Sequence, residues 1–270
     1  MPTFLFWNLN NRPLAPLVAD LSHRRGVDVI ILAECATPTS QVLEALNSRD
    51  ASYHFANTPG CRKLAVFTRF PSEFVVPVCE GPRFTIRTIE LSASSEIIIA
   101  AVHLGSRRDH SRESQGFDCA VLARTIRDAE EALGPSRTVL VGDINANPFD
   151  DGVVAAAGLN AVMTRQIASR GSRMVDSHSF PFFYNPMWGR LGDESKGPPG
   201  THYYARSEQV EFFWHTYDQV LVRPALLDDF EGAELDVPMS IGATSLLNAG
   251  GRPDKKLASD HLPLVFSIRS

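Results

Sequence analysis

Carboxylates, amides and imidazoles stand at the ends of apolar runs in this chain, a placement that suits metal-assisted attack on phosphorus. Thr138-Val139-Leu140-Val141 leads into Gly142-Asp143-Ile144-Asn145, followed by Asn147-Pro148. The run is β-branched and too short for a typical helix, so it reads as a buried strand with a carboxylate and an amide at its mouth, where α/β proteins place ligands. The arrangement recurs. Phe4-Leu5-Phe6-Trp7 runs into Asn8, Val29-Ile30-Ile31-Leu32-Ala33 into Glu34, and Ile97-Ile98-Ile99-Ala100-Ala101-Val102 into His103-Leu104. Later come Asp218-Gln219-Val220-Leu221-Val222 and Ser259-Asp260-His261-Leu262-Pro263.

Cleaving a phosphoester requires neutralised oxygens, a deprotonated water and a stabilised leaving group. Glu34 is a hard oxygen ligand suited to Mg²⁺ or Mn²⁺. Asp260 or Asn8 would complete a sparse protein shell that leaves several waters on the ion. His261 is the candidate central histidine, because carboxylates beside an imidazole fix its tautomer and stabilise its charged form; Asp218 is the expected orienting partner. His103 ends its strand just before Gly105-Ser106.

The order Asn, Glu, His-Leu, Gly-Asp-x-Asn, Asp-Gln-Val, Ser-Asp-His-x-Pro resembles the endonuclease/exonuclease/phosphatase superfamily, whose members include deoxyribonuclease I, abasic-site endonucleases, bacterial sphingomyelinases and inositol-polyphosphate phosphatases. The resemblance runs from Phe4 to Ile268. Two positions depart from the common pattern: Ile144 stands where Phe is usual, and Ala33 where a Gln often precedes the metal glutamate. The resemblance implies a hydrogen-bonded Asp218–His261 pair, an Asp143 that orients or deprotonates the water, and Asn145 and Asn8 holding phosphate oxygens or metal waters. The base is left open between Asp143 and His261. His103 looks like the histidine of the deoxyribonuclease I and sphingomyelinase branches, which stabilises the transition state or protonates the leaving oxygen. Abasic-site endonucleases carry a tyrosine in the middle of the chain, and Leu64 to His103 contains none.

A chain of 270 residues with 44% apolar content can bury a large core, and one domain spanning residues 1–270 is expected. No apolar run approaches the roughly 18 residues that span a bilayer, and the first strand begins too early for a signal peptide, so a cytoplasmic protein is expected. Cys35, Cys61, Cys79 and Cys119 lack Cys-x-x-Cys spacing and read as reduced thiols. A net charge of −5 argues against sequence-independent duplex-DNA binding over the whole surface. A local basic rim would still serve, with Arg62-Lys63, Arg107-Arg108 and Arg252 with Lys255-Lys256 as candidates for contacting phosphate.

The elements positioning these groups begin with a helix from Pro13 to Gly26, stopped by the glycine. A second helix follows, capped by Thr39 or Ser40 and running through Leu46. A third lies within Ser111 to Leu133, with Val121, Leu122 and Ile126 in its apolar stripe. Strands follow one another between Leu64 and Val102 and again after Met174. This grouping suits two mixed sheets face to face with helices outside, and the resemblance implies the same fold: a four-layer α/β/β/α sandwich of the α/β (α+β) class. The segment from Ala146 to Tyr217 is dense in aromatics. Thr201–Ala205 and Glu211–Val222 alternate as a hairpin would. Tyr184, Asn185, Trp188 or Tyr203 are the expected contacts to a base or sugar. The leading functional expectation is a Mg²⁺- or Mn²⁺-dependent nuclease. A phosphatase or phosphodiesterase of a nucleotide, inositol phosphate or lipid head group is the alternative, and a silent binding module a third.

Overall fold

The computed structural model describes residues 1–49, 51–92, 95–106, 112–134, 136–207 and 209–269. Two sheets form its centre. In the first, β1 (Thr3–Asn8) lies between the strand Leu264–Ser267 and the parallel β2 (Val29–Ala33), followed by β4 (Leu64–Thr68) and β3 (His54–Ala56). In the second, β5 (Val75–Gly81), β6 (Phe84–Ser92) and β7 (Ser95–His103) form a meander. β7 then pairs in parallel with β8 (Thr138–Asp143), and Asp218–Val222, Phe183–Tyr184 and Ala161–Val162 complete that sheet.

Side-chain alternation on β7 and β8 builds the layers. Ile97, Ile99, Ala101, Val139 and Val141 face the first sheet, in one core with Phe4, Phe6 and Ile31. Ile98, Ala100, Val102 and Leu140 point the other way, onto Leu122, Ala123 and Ile126 of α3 (Arg112–Leu133). Successive strand residues face opposite sides, so a continuous apolar run is what a sheet covered on both faces requires. Helices α1 (Ala15–Arg25) and α2 (Thr39–Leu46) supply the remaining outer layer against the first sheet. The result is the expected four-layer sandwich.

The helices correct the sequence reading in detail. Gly26 does terminate α1, in the left-handed conformation at φ 59°, but the helix starts at Ala15. Thr39 opens α2 rather than capping it, and Pro38 occupies the cap position without a side-chain bond. Val121 is 45% exposed, and Cys119 takes the expected place in the stripe facing the sheet. Among the described residues, no helix is long and apolar enough to cross a membrane.

A buried ion pair fastens α3 to the second sheet. Arg223 donates from Nε to Glu130 Oε1 at 2.8 Å and from Nη2 to Oε2 at 3.1 Å, while its Nη1 donates to the carbonyls of Pro181 and Phe182. Its guanidinium carbon stands 3.8 Å from the centroid of the Phe183 ring. Thr138 Oγ1 donates to the same Glu130 oxygen at 2.6 Å. Removing one member of such a pair strands the other charge in the interior. Glu130→Ala is therefore expected to lower stability by about 3–5 kcal/mol, whereas the double change Glu130→Leu with Arg223→Met recovers most of the loss. Urea unfolding of the three proteins checks this.

Candidate active site

The strand ends converge at one end of the sandwich, with Asp143 between two neighbours. On one side β7 brings His103 opposite Asp143, and on the other the antiparallel strand brings Asp218 opposite the same residue. β7 passes so close that a Cβ on Gly142 would lie 1.9 Å from the Val102 carbonyl oxygen. This is why the carboxylate follows a glycine.

Beyond Asp143 the chain turns sharply. Asn145 sits at φ 56°, and its backbone N–H donates to Asp143 Oδ1 at 2.9 Å. Its side-chain amide donates to the Leu104 carbonyl at 3.0 Å, and the Gln115 side chain of α3 donates to the Asn145 carbonyl at 2.7 Å. Glu34 also sits in the left-handed region, at φ 47°, just past β2. Asn11 holds it there, donating from its backbone to the Glu34 carbonyl and from its side chain to Oε2, both at 2.9 Å. Such conformations in residues other than glycine persist only where surrounding bonds enforce them, and they cluster at functional sites.

Asn8 Nδ2 donates to Asp143 Oδ2 at 2.9 Å. His261 Nδ1 donates to Asp218 Oδ2 at 2.8 Å, leaving its Nε2 3.9 Å from Asp143 Oδ2. His103 Nε2 lies 3.4 Å from Glu34 Oε1 and 3.7 Å from Asp143 Oδ2. Ser259 fixes the last motif against the first strand. Its hydroxyl donates to the Asn8 carbonyl at 2.6 Å and accepts the His261 N–H at 3.1 Å, while the Trp7 indole donates to the His261 carbonyl at 2.9 Å.

Burial pushes the Asp143 carboxyl up, and Asp218 adds to that against the pull of His261, His103 and the Asn8 amide. Burial alone would lower His261, but the charge and hydrogen bond of Asp218, then Asp143 and Asp260, overcome it and raise the imidazole to about 10. His103 moves down because burial outweighs the attraction of Asp143. The two imidazoles are thus set to opposite protonation states near neutrality.

A family model described as the endonuclease/exonuclease/phosphatase family matches residues 5–261. The chain belongs to that family. The endonuclease domain of TRAS1, a telomere-specific non-LTR retrotransposon, aligns at 15% identity with a TM-score of 0.57, over 100% of this chain and 99% of that one. Truncated TDP2 of Caenorhabditis elegans gives 14% and 0.57 over 100% and 98%, and an AP endonuclease from Archaeoglobus fulgidus 14% and 0.56 over all of both chains. Identities this low establish the shared fold alone. No curated protein matches the sequence.

In this family member the cleft over the strand ends measures about 410 Å³. It is lined by Asn8, Glu34, His103, Asp143, Asn145, Asp260 and His261, with Asp218 immediately behind His261. The sequence-derived catalytic and metal-binding candidates are therefore brought together. The substrate-contact candidates are not. Arg62 and Lys63 are exposed on the loop before β4, where the Lys63 carbonyl accepts the Glu34 N–H at 3.4 Å, and Lys255 is exposed on a turn; none lines the cleft. Arg107 and Arg108 lie outside the described residues.

Tyr184 packs edge-on to Phe230 behind the sheet under the Arg165 guanidinium. Asn185 is fully buried, donating to Gln219 Oε1 and accepting the Met187 N–H. Trp188 packs on Phe149, which in turn separates it from Phe212 at the cleft. Tyr203 lies under the Arg252 guanidinium, whereas its neighbours His202 and Tyr204 line the cleft. The face of a strand residue depends on its parity, which aromatic density alone does not give. The sequence reading accordingly missed His202, Arg206, Glu211 and His215. The alternation His202, Tyr204, Arg206 was the available signal.

The Glu34 and Asp260 carboxylates in the cleft lining are hard oxygen donors that would suit a divalent cation. Among the described residues, Oδ1 of the cleft-lining Asp260 is buried without a hydrogen-bond partner, as are Asp218 Oδ1 and His103 Nδ1. Unpaired buried carboxylate oxygens are costly unless a cation or proton meets them. Among the described residues, the groups with ligand atoms within 4.8 Å of one another are Asp143–Asp218–His261 and His202–Asp260–His261; Glu34 stands beside them through His103. Asn8 commits its amide N–H to Asp143 and its oxygen to the Asn10 N–H, so it steadies the carboxylate first.

The folded-state value of His261 lies above its unfolded 6.5, so the Asp218–His261 pair contributes fully below about pH 6.5 and is lost as pH rises through about 10. Asp218→Asn is expected to flatten the fall of the urea midpoint between pH 7 and about 10. It also returns the His261 NMR titration toward the ordinary imidazole range.

Proposed function

We propose that this chain is a Mg²⁺- or Mn²⁺-dependent phosphoesterase that hydrolyses phosphodiester bonds, acting as a nuclease. The observation that carries the reading is Asp143, held at a sheet end between His103 and His261 with Asp218 behind the latter. Glu34 and Asp260 would hold the cation, which when bound neutralises phosphate oxygens and lowers the pKa of its water.

The protein's own residues do the rest. Asp143, with its carboxyl raised by burial, takes the proton of the attacking water, since a base works best when its pKa approaches the working pH. His261, raised to about 10, stays protonated near neutrality and presents an Nε2–H to a phosphate oxygen. The raised carboxyl and the charged imidazole both support Asp143 over His261 as the base. The water oxygen bonds to phosphorus, the ester P–O bond breaks, and the leaving oxygen takes a proton from solvent water, since burial keeps His103 neutral; Asp143 then returns its proton to solvent. A second reading, a phosphodiesterase or phosphatase of small molecules, is favoured by the net charge of −5. Neither Arg62, Lys63 nor Lys255 lines the cleft, which favours it too.

Purified protein is to be assayed with Mg²⁺ or Mn²⁺ against single- and double-stranded DNA, RNA, nucleotides and inositol phosphates. Turnover is expected to vanish in EDTA and to fall about 10²–10⁴-fold in Asp143→Asn and in His261→Ala, with circular dichroism unchanged. Polymer cleavage makes the protein a nuclease, and release from small substrates alone selects the second reading. Undiminished turnover in EDTA or in Asp143→Asn removes both.

A further inference from the structure

The far wall of the cleft comes from one hairpin, in which His202–Tyr203 pairs with Trp214–His215. Its rings form a near-parallel row. His215 and Tyr217 have centroids 4.7 Å apart at 22°, Tyr217 and His202 5.5 Å at 26°, and His202 and Tyr204 6.4 Å at 21°. His202 also stands 4.4 Å from the His261 ring, so the row begins where the phosphorus site ends.

Hydrogen bonds fix the planes. Asn147 accepts the Thr216 N–H through Oδ1, which turns its amide N–H₂ toward His215 Nδ1 at 3.2 Å; His215 Nε2–H then donates to Glu211 Oε1 at 3.0 Å. His202 Nδ1–H donates to the Asp260 carbonyl at 3.0 Å. The two arms meet tightly at Gly200, where a Cβ would lie 2.6 Å from the His215 carbonyl oxygen.

A second observation concerns Phe212. It lines the cleft yet is 47% exposed, standing edge-on to His215 and to Phe149. The next residue, Phe213, is held at φ 63°, a region that disfavours aromatic side chains, by its N–H on Glu211 Oε1 and its carbonyl on the Tyr204 N–H. The turn at Phe213 sets Phe212 at the cleft beside Val210, and both present exposed apolar surface there. Arg206, over the Tyr204 ring at 4.9 Å, gives the same rim a cation.

Resting on the phosphoesterase reading, we infer that this hairpin is a stacking wall that selects a substrate carrying a nucleobase one sugar away from the scissile phosphate, with Phe212 as its contact residue. The rings of the row cover one another's faces and Arg206 covers Tyr204, so the exposed Phe212 ring is the face on which a base gains by stacking, whereas an inositol or an alkyl ester gains nothing there.

The test is calorimetric titration, with Mg²⁺ present, of thymidine 5′-monophosphate and of 1,2-dideoxyribose 5-phosphate, which lacks only the base. The nucleotide is expected to bind about tenfold more tightly. Phe212→Ala removes that preference while leaving the affinity for the sugar phosphate unchanged, and Phe212→Tyr keeps it. Equal affinities in the wild type, a preference that survives Phe212→Ala, or no binding of either compound overturns the inference. Turnover is not needed for this readout, so a protein that prefers the nucleotide but hydrolyses nothing would retire the phosphoesterase reading and leave the stacking wall in place.

Discussion

The Asp143 carboxylate, on a side chain only 2% exposed, sets the terms on which the rest of the site is built. A charge so far from water costs several kcal/mol unless the protein replaces its hydration with fixed dipoles and counter-charges. Here the Asn145 N–H and the Asn8 amide take the place of water, and His261 and His103 provide positive or polarisable faces. Asp218 makes the balance harder by raising Asp143 further, and at the same time makes it possible by charging His261. On the proposed function, the groups that compensate the carboxylate in the resting protein are also those that would handle a proton and a phosphate oxygen.

The sandwich exists, in this view, to bring strand ends from two sheets within hydrogen-bonding reach. Asn8 and Glu34 come from the first sheet, His103, Asp143 and Asp218 from the second, and Ser259–His261 from the segment leading into the strand that flanks β1. Their positions follow from register, and register follows from the two-sided burial of β7 and β8. Gly142 is required where the parallel neighbour crowds the backbone, and the buried Glu130–Arg223 pair anchors the outer helix.

The groups that converge on the cleft were legible in the sequence because a polar residue at the end of an apolar run emerges at a sheet end, and the order of such residues along the chain carries a family pattern. Long apolar strands and the α1 stop at Gly26 were legible for the same local reason. The wall of the cleft was not. Tyr203 and Tyr204 are equivalent in composition, and only pairing with Trp214–His215 decides that the second lines the cleft. Tyr184 and Trp188 are absorbed by Phe230 and Phe149, partners distant in sequence or hidden by a turn. The left-handed backbone at Glu34 was equally invisible, since glutamate has no local preference for it and Asn11 enforces it through tertiary contact.

The proposed reaction requires a divalent cation at the cleft. The most direct test is Mn²⁺ binding followed by electron paramagnetic resonance in the wild type and in Glu34→Gln, at neutral pH and without substrate. Saturable binding by the wild type that weakens at least about tenfold in the variant is the predicted result, as expected when a hard carboxylate ligand is lost. Equal binding by the two proteins, or none by the wild type, would contradict the account of this cleft as a metal-assisted phosphoesterase centre.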